Sequence, residues 1–140
     1  MKILLAVDGS RYTKKMLAYL ATHLEILAGH NEFTALTVHG ALPPRARSAL
    51  GKETVDAYYA EEAAKVLDPV SKFLLRHDVR LKTASKIGPA GETIAKFAEA
   101  GRFDLVVMGS HGHGSLTNLV MGSVATKVLA HCTVPVMLIR

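Results

Sequence analysis

The fold of this chain is decided by one stretch, VVMGSHGHGSLTNLVMGSVATKVL, residues 106–129. A short, continuous apolar run ends at Gly109, glycines follow at 112 and 114, and with nine residues intervening after Gly112 another Gly-Ser pair, Gly122-Ser123, opens a segment with helical spacing. Apolar runs bounded by turn residues suit strands covered on both faces. DLVVM, residues 104–108, is therefore expected to be a central strand, and Ser123 to His131 a helix. KILLAV, residues 2–7, is a second run of the same kind.

The rest of the chain alternates strand and helix around these two runs. Leu17, Leu20, Leu24 and Leu27 recur at helical spacing, which predicts an amphipathic helix over 11–29 with Gly29 near its end. FTALTV (33–38) reads as a strand and HGALPPRARSALG (39–51) as a solvated loop with the option of folding over a ligand. Val55, Tyr59, Ala63, Val66, Val70 and Leu74 then mark a long helix that Pro69 should kink. In VRLKTAS (79–85), Val79, Leu81 and Thr83 alternate with Arg80, Lys82 and Ala84, as at a sheet edge. PAGETIAKFAEAG (89–101) has Pro89 at a helix start and Gly101 at its stop, and VPVMLI (134–139) is the closing strand. The order β-α-β-α-β-α-β-α-β, without repeat or linker, predicts one doubly wound, Rossmann-like α/β domain over 1–140. It would have four helices and a five-stranded parallel sheet in the order 3-2-1-4-5.

Composition bounds the function. The 140 residues suffice for one core, and no apolar run nears the ~18 residues that span a bilayer. The N-terminal MKILLAVDGS meets Asp8 too early for a secretion signal, so a soluble, cytoplasmic protein with no membrane partner is expected. The single cysteine, Cys132, excludes an internal disulfide framework and any C-x-x-C site. The net charge of +5 is spread over 17 Lys and Arg without a block, which suits phosphate-bearing ligands better than nucleic acid.

In the expected sheet the chain reverses direction between strands one and four, and ligands bind in the crevice at such a switch point. Asp8 ends strand one and Gly109 ends strand four, so both arrive there. Gly109, Gly112 and Gly114 would allow positive backbone angles and a close approach of main chain to ligand. Gly122 and Ser123 would begin a helix whose unpaired N–H groups favour phosphate oxygens. A mobile loop followed by an ordinary Ser helix cap accounts for the same residues.

The pattern G-x2-G-x9-G-[ST], present as Gly109, Gly112, Gly122 and Ser123, resembles that of the nucleotide-binding members of the universal stress protein family. The likeness extends to AVDGS (6–10), IGPAGETIAKFA (87–98), FDLVVMGSHGHG (103–114) and MGSVATKVLAHCTVPVMLIR (121–140). The resemblance implies an adenine nucleotide alpha hydrolase-like fold, ATP or a related adenine nucleotide as ligand, and a homodimer; without an evident catalytic device, the role expected of such a binder is that of a switch or sensor. Ala6, Val7, Asp8, Val38 and Met108 would then hold the adenine end. Gly109, Gly112, Gly122, Ser123 and the Val124 N–H would hold ribose and phosphates, with His111 facing phosphate or solvent. Thr37 stands where many relatives carry His. Capping the first helix, or accepting local N–H groups, is nearly as good a role for Asp8.

His111 and His113 form an H-x-H pair, but without a nearby acidic or cysteine ligand they fall short of a zinc site. Mg2+ or Mn2+ would ride mainly on the nucleotide phosphates. No G-x4-G-K-[ST] segment supplies the lysine and hydroxyl of a P-loop. Slow ATP hydrolysis at most is expected; the alternatives are an ATPase or nucleotidyl-transfer enzyme using Asp8, and a dimeric interaction module without nucleotide. Strand 134–139 would be an uncharged apolar edge with Pro135 at its start, and pairing with a second copy would cover it.

Overall fold

The structure is a computed structural model that describes residues 1–114 and 120–140, apart from the side chain of Leu24. The central strand β1 (Lys2–Ala6) pairs in parallel with β2 (Glu32–His39) on one side and β4 (Leu105–Gly109) on the other. β3 (Leu81–Ile87) and β5 (Val136–Ile139) are the two edges, so the order is β3-β2-β1-β4-β5, as expected. The period of two along β1 divides the core: Ile3, Leu5 and Val7 enter one face, Leu4 and Ala6 the other.

The first face is covered by α1 (Arg11–Thr22) and α4 (Lys52–Leu75), through Met16, Leu17, Leu20, Ala63, Leu67, Val70 and Leu74. The second is covered by α5 (Ala90–Ala100) and α6 (Ser123–His131), through Ile94, Ala98, Ala125 and Val128. Ile3, Leu4 and Leu5 are fully buried. Each such side chain contributes about 1.5–3 kcal/mol on leaving water. The α5 and α6 helices meet closely because Gly91 lacks a side chain; a Cβ there would lie 2.5 Å from Lys127 Cβ.

Among the described residues six helices replace the four expected. The helix predicted over 11–29 breaks at His23, and a separate turn, α2 (Leu24–Leu27), follows. The Thr22 hydroxyl donates to the Tyr19 carbonyl at 2.9 Å and His23 Nδ1 lies 2.8 Å from the same oxygen, so side chains compete with the helical ladder. The second addition is α3 (Pro44–Leu50), inside the segment read as a loop. Pro44 pre-sets the first turn, Arg and Ala favour helix, and Gly51 at φ 80° ends it. No α3 residue lines the cleft described below, so this segment does not fold over it.

Strand limits move as well. β3 starts at Leu81 instead of Val79, because Asp78 adopts φ 59° and the Val79 N–H still bonds back to Leu74. β5 starts at Val136, after Pro135, and the helix α4 runs continuously through Pro69. Among the described residues no helix is long and apolar enough to cross a membrane.

One polar atom is out of place in this core. Thr37 on β2 is 1% exposed, and its hydroxyl oxygen has no hydrogen-bond partner. Leaving a buried donor unpaired costs on the order of 1–3 kcal/mol, whereas an apolar group of the same shape costs nothing comparable. Thr37→Val should therefore raise stability by about 1 kcal/mol in urea unfolding; a lower midpoint would show that the hydroxyl is paired.

Candidate functional site

β1 and β4 end side by side, with Ala6 opposite Met108, and the chain then departs to opposite faces, into α1 after β1 and into α6 after β4. A cleft of about 340 Å³ opens at this divergence. Its volume lies at the lower end of the range for small-molecule sites. All eleven residues singled out in the sequence line it. Ala6, Val7, Val38 and Met108 give it apolar lining; Asp8, Gly109, His111 and Gly112 form one wall, and Gly122, Ser123 and Val124 the other.

The two walls are tied to each other and to the strand ends. The Gly122 N–H donates to the Ser110 carbonyl at 2.7 Å, and the Ser110 N–H donates to the Ile139 carbonyl at 2.8 Å. A Cβ on Gly122 would sit 3.2 Å from His111 Cα. The start of α6 is thus held directly against the end of β4. Gly122 is the N-cap of α6 and no side chain caps it, so Ser123 is the first helical residue and not the cap. The N–H groups of this first turn have no acceptor within the helix and carry the positive end of its dipole.

The positive backbone angles expected at these glycines are not found. Left-handed φ values among the described glycines occur at Gly9, Gly29, Gly51 and Gly88, and not at Gly109, Gly112, Gly114 or Gly122. Close packing of protein on protein is what excludes a side chain. A Cβ on Gly109 would lie 2.6 Å from Tyr12 Cβ, and one on Gly112 would lie 2.7 Å from Asp8 Oδ2. Gly114 meets nothing within 4 Å.

Asp8 is held by its neighbours. Its Oδ1 accepts the Ser10 N–H at 2.9 Å and the Thr13 hydroxyl at 3.1 Å, while its own N–H donates to Thr13 Oγ1 at 3.1 Å. The N-cap of α1 is Ser10, whose hydroxyl accepts the Tyr12 N–H at 3.2 Å. Asp8 therefore organises the approach to α1 without capping it. His113 Nε2 lies 2.6 Å from the Asp8 carbonyl oxygen, which can only accept, so that nitrogen carries the proton. His111 Nδ1 lies 2.9 Å from Ser110 Oγ, and the two imidazoles of the H-x-H pair thus have different partners. Among the described residues no three His, Cys, Asp or Glu side chains are grouped to hold a metal.

Tyr12, Thr13, Ala90, Ile94 and Ala125 also line the cleft and were not singled out in the sequence. Tyr12 and Thr13 follow the AVDGS segment with one residue intervening, so the first turn of α1 was the available signal. Ala90 and Ile94 reach the cleft because α5 packs on the same face as α6, which only the packing reveals.

The sequence profile of the Universal stress protein family matches residues 1–140. A universal stress protein of Synechocystis is 30% identical over 139 residues, which is 99% of this chain and 42% of that protein. The chain spans about half or less of the length of the first curated relatives it matches. The solved structure of protein MJ0577 of Methanocaldococcus jannaschii superposes with a TM-score of 0.79 at 25% identity, covering 99% of this chain and 94% of that one. A universal stress protein family member of Arabidopsis thaliana, solved with AMP bound, shares the fold with a TM-score of 0.69 at 17% identity, covering 99% and 90%.

If the glycines answer to packing, their cost on substitution follows the crowding. Gly109→Ala and Gly112→Ala should each lower stability by about 1–3 kcal/mol, a fall of several degrees in Tm, while Gly114→Ala should be nearly neutral. Equal Tm values for the three variants in calorimetry would contradict this account.

Proposed function

The chain belongs to the universal stress protein family, and from that premise we propose that it binds an adenine nucleotide in the β1–β4 cleft and acts as a nucleotide-dependent switch or sensor in stress response. The observation that carries this reading is the mixed lining of the cleft: the apolar side chains of Ala6, Val7, Val38 and Met108, together with the first turn of α6 at Ser123 and Val124. A planar base suits the first, and phosphate oxygens suit the second. The related Arabidopsis protein solved with AMP supports the same ligand class.

In this reading Val38 and Met108 flank the base, with Asp8 accepting from its amino group or from nearby backbone. Gly109, Gly112, Ser123 and the Val124 N–H receive ribose and phosphates, and His111 faces the phosphates. The Gly122 N–H is spent on Ser110, so Gly122 contributes by fitting and not by donating. ATP is the proposed physiological ligand. Mg2+ or Mn2+, when present, would be held mainly by its phosphates, as suits a hard cation. Fast turnover is disfavoured because Asp8, the carboxylate in the cleft, is engaged by Ser10 and Thr13, and affinity without a transition-state device adds little rate.

Two further elements complete the proposal. The protein acts in the cytoplasm, and it forms a homodimer by pairing segment 134–139 with its copy. β5 is an open edge of half-buried, uncharged residues, Val136 to Ile139, and such an edge is an aggregation hazard until covered. Light scattering at micromolar concentration should give the mass of a dimer; a monodisperse monomer would refute the pairing.

Calorimetric titration with ATP should show saturable binding to the wild type. Gly122→Val, which forces its side chain into His111 and Ser110, should weaken binding by at least about tenfold while leaving the circular dichroism spectrum unchanged. Absence of binding of ATP, ADP and AMP to the wild type would overturn the nucleotide reading.

A further inference from the structure

The first turn of α1 carries an arrangement that the nucleotide reading does not use. Tyr12 lines the cleft, backed against the glycine at position 109. Its ring centroid lies 5.1 Å from that of His111, which in turn sits against the start of α6. Two cations gather on the same Tyr12 ring: the Lys15 ammonium at 4.9 Å from its centroid and the Arg11 guanidinium at 5.2 Å. Amide cradle, His111, Tyr12 and the two cations thus follow one another within a few ångströms.

The charges at this point run against local preference. A helix start favours acidic side chains, yet the first turn of α1 has none and instead opens with Arg11, followed by Lys14 and Lys15. Among the described residues the ion pair within 4 Å is Lys65 with Glu62, so neither Arg11 nor Lys15 is neutralised by a carboxylate. Asp8, the acidic group of the cleft, is taken up by Ser10 and Thr13. Contact with an aromatic face uses a cation's charge and leaves its N–H donors available. Of the five guanidinium donors of Arg11, the bond found is a long one, 3.4 Å to the Tyr12 hydroxyl. Positive partial charge from the helix, and two cations without a carboxylate partner on the ring of a lining residue, Tyr12, are the chemistry that receives phosphate.

We propose that Arg11 and Lys15, gathered on the Tyr12 ring, receive the distal phosphates of the bound nucleotide and make the site select a nucleoside triphosphate over a monophosphate. This inference rests on the nucleotide reading above and deepens it. The amides of α6 serve the phosphate that every adenine nucleotide has, so they set affinity without discriminating. The α1 cations are reached from those amides by way of His111 and Tyr12, a span that a polyphosphate chain would cover and a monophosphate would not. Tyr12 acts as a positioning residue that keeps two flexible side chains on its ring.

The test is calorimetric titration of ATP and AMP into the wild type, Arg11→Gln/Lys15→Gln and Tyr12→Leu, with circular dichroism confirming the fold. A control, Lys72→Gln/Arg76→Gln, removes the same charge from the C-terminal end of α4, near the start of β3 and so at the opposite end of the sheet. The α1 double variant should weaken ATP by about fivefold and leave AMP within about twofold. Tyr12→Leu should show the same selective loss to a smaller degree, and the control should keep the wild-type ATP-to-AMP ratio. Salt at ~1 M, where screening acts within ~3 Å, should shrink the ratio in the wild type and change it little in the double variant. An unchanged ratio in the double variant, or an equal loss for both nucleotides, would overturn this inference while leaving nucleotide binding intact. A wild type that binds neither ligand would overturn both readings.

Discussion

The parallel pairing of β1 with β4 is the constraint from which the rest follows. It joins segments about a hundred residues apart, Ile3 to Leu105 through Ala6 to Met108, and buries both faces of each strand. Because the two strands run the same way, their chain exits lie next to each other. Because α1 and α6 cover opposite faces, those exits diverge and leave a gap. The cleft is thus a consequence of how two fully buried strands are connected, and it needs no residue dedicated to making a hole.

Keeping that gap in shape falls to short-range contacts between groups that are far apart in sequence. Gly112 lets the β4 loop lie on the Asp8 carboxylate, and Gly109 lets it lie on Tyr12. His113 bonds to the Asp8 carbonyl, while Ser110 receives Gly122 and reaches Ile139. These contacts bind β1, β4, β5, α1 and α6 at one point. Amides held in place before a ligand arrives lose little freedom on binding, which is how a rigid cradle gains affinity.

The two sheet edges are treated differently. β3 carries Lys82 and Lys86, exposed along a strand that is covered little on either face, and charged edges discourage pairing with other chains. β5 carries no charge from Val136 to Ile139, and all four residues are half-buried. One edge is protected by its own side chains; the other retains an apolar surface that a second copy would cover. The basic first turn of α1 also departs from local preference, and its Tyr12 lines the cleft.

Much of this was legible along the chain, because hydrophobic period and turn residues are local. The buried runs of β1 and β4, the strand order and the arrival of Asp8, Gly109 and Gly122 at the cleft follow from short patterns joined by the handedness of the crossovers, whereas Ala6, Val38 and Met108 were placed there by the family resemblance. What the glycines are for did not follow, because a missing Cβ means either an unusual φ or a close neighbour, and the neighbours Tyr12 and Asp8 arrive only on folding. Nor did the break at His23, where side chains compete for one carbonyl, or the gathering of Arg11 and Lys15 on a ring beside His111. Sequence alone determined which segments must be buried, and hence the fold and the place of the cleft. Only the tertiary structure decided which groups meet across it, since contacts over a hundred residues of separation depend on packing distances that no local pattern encodes.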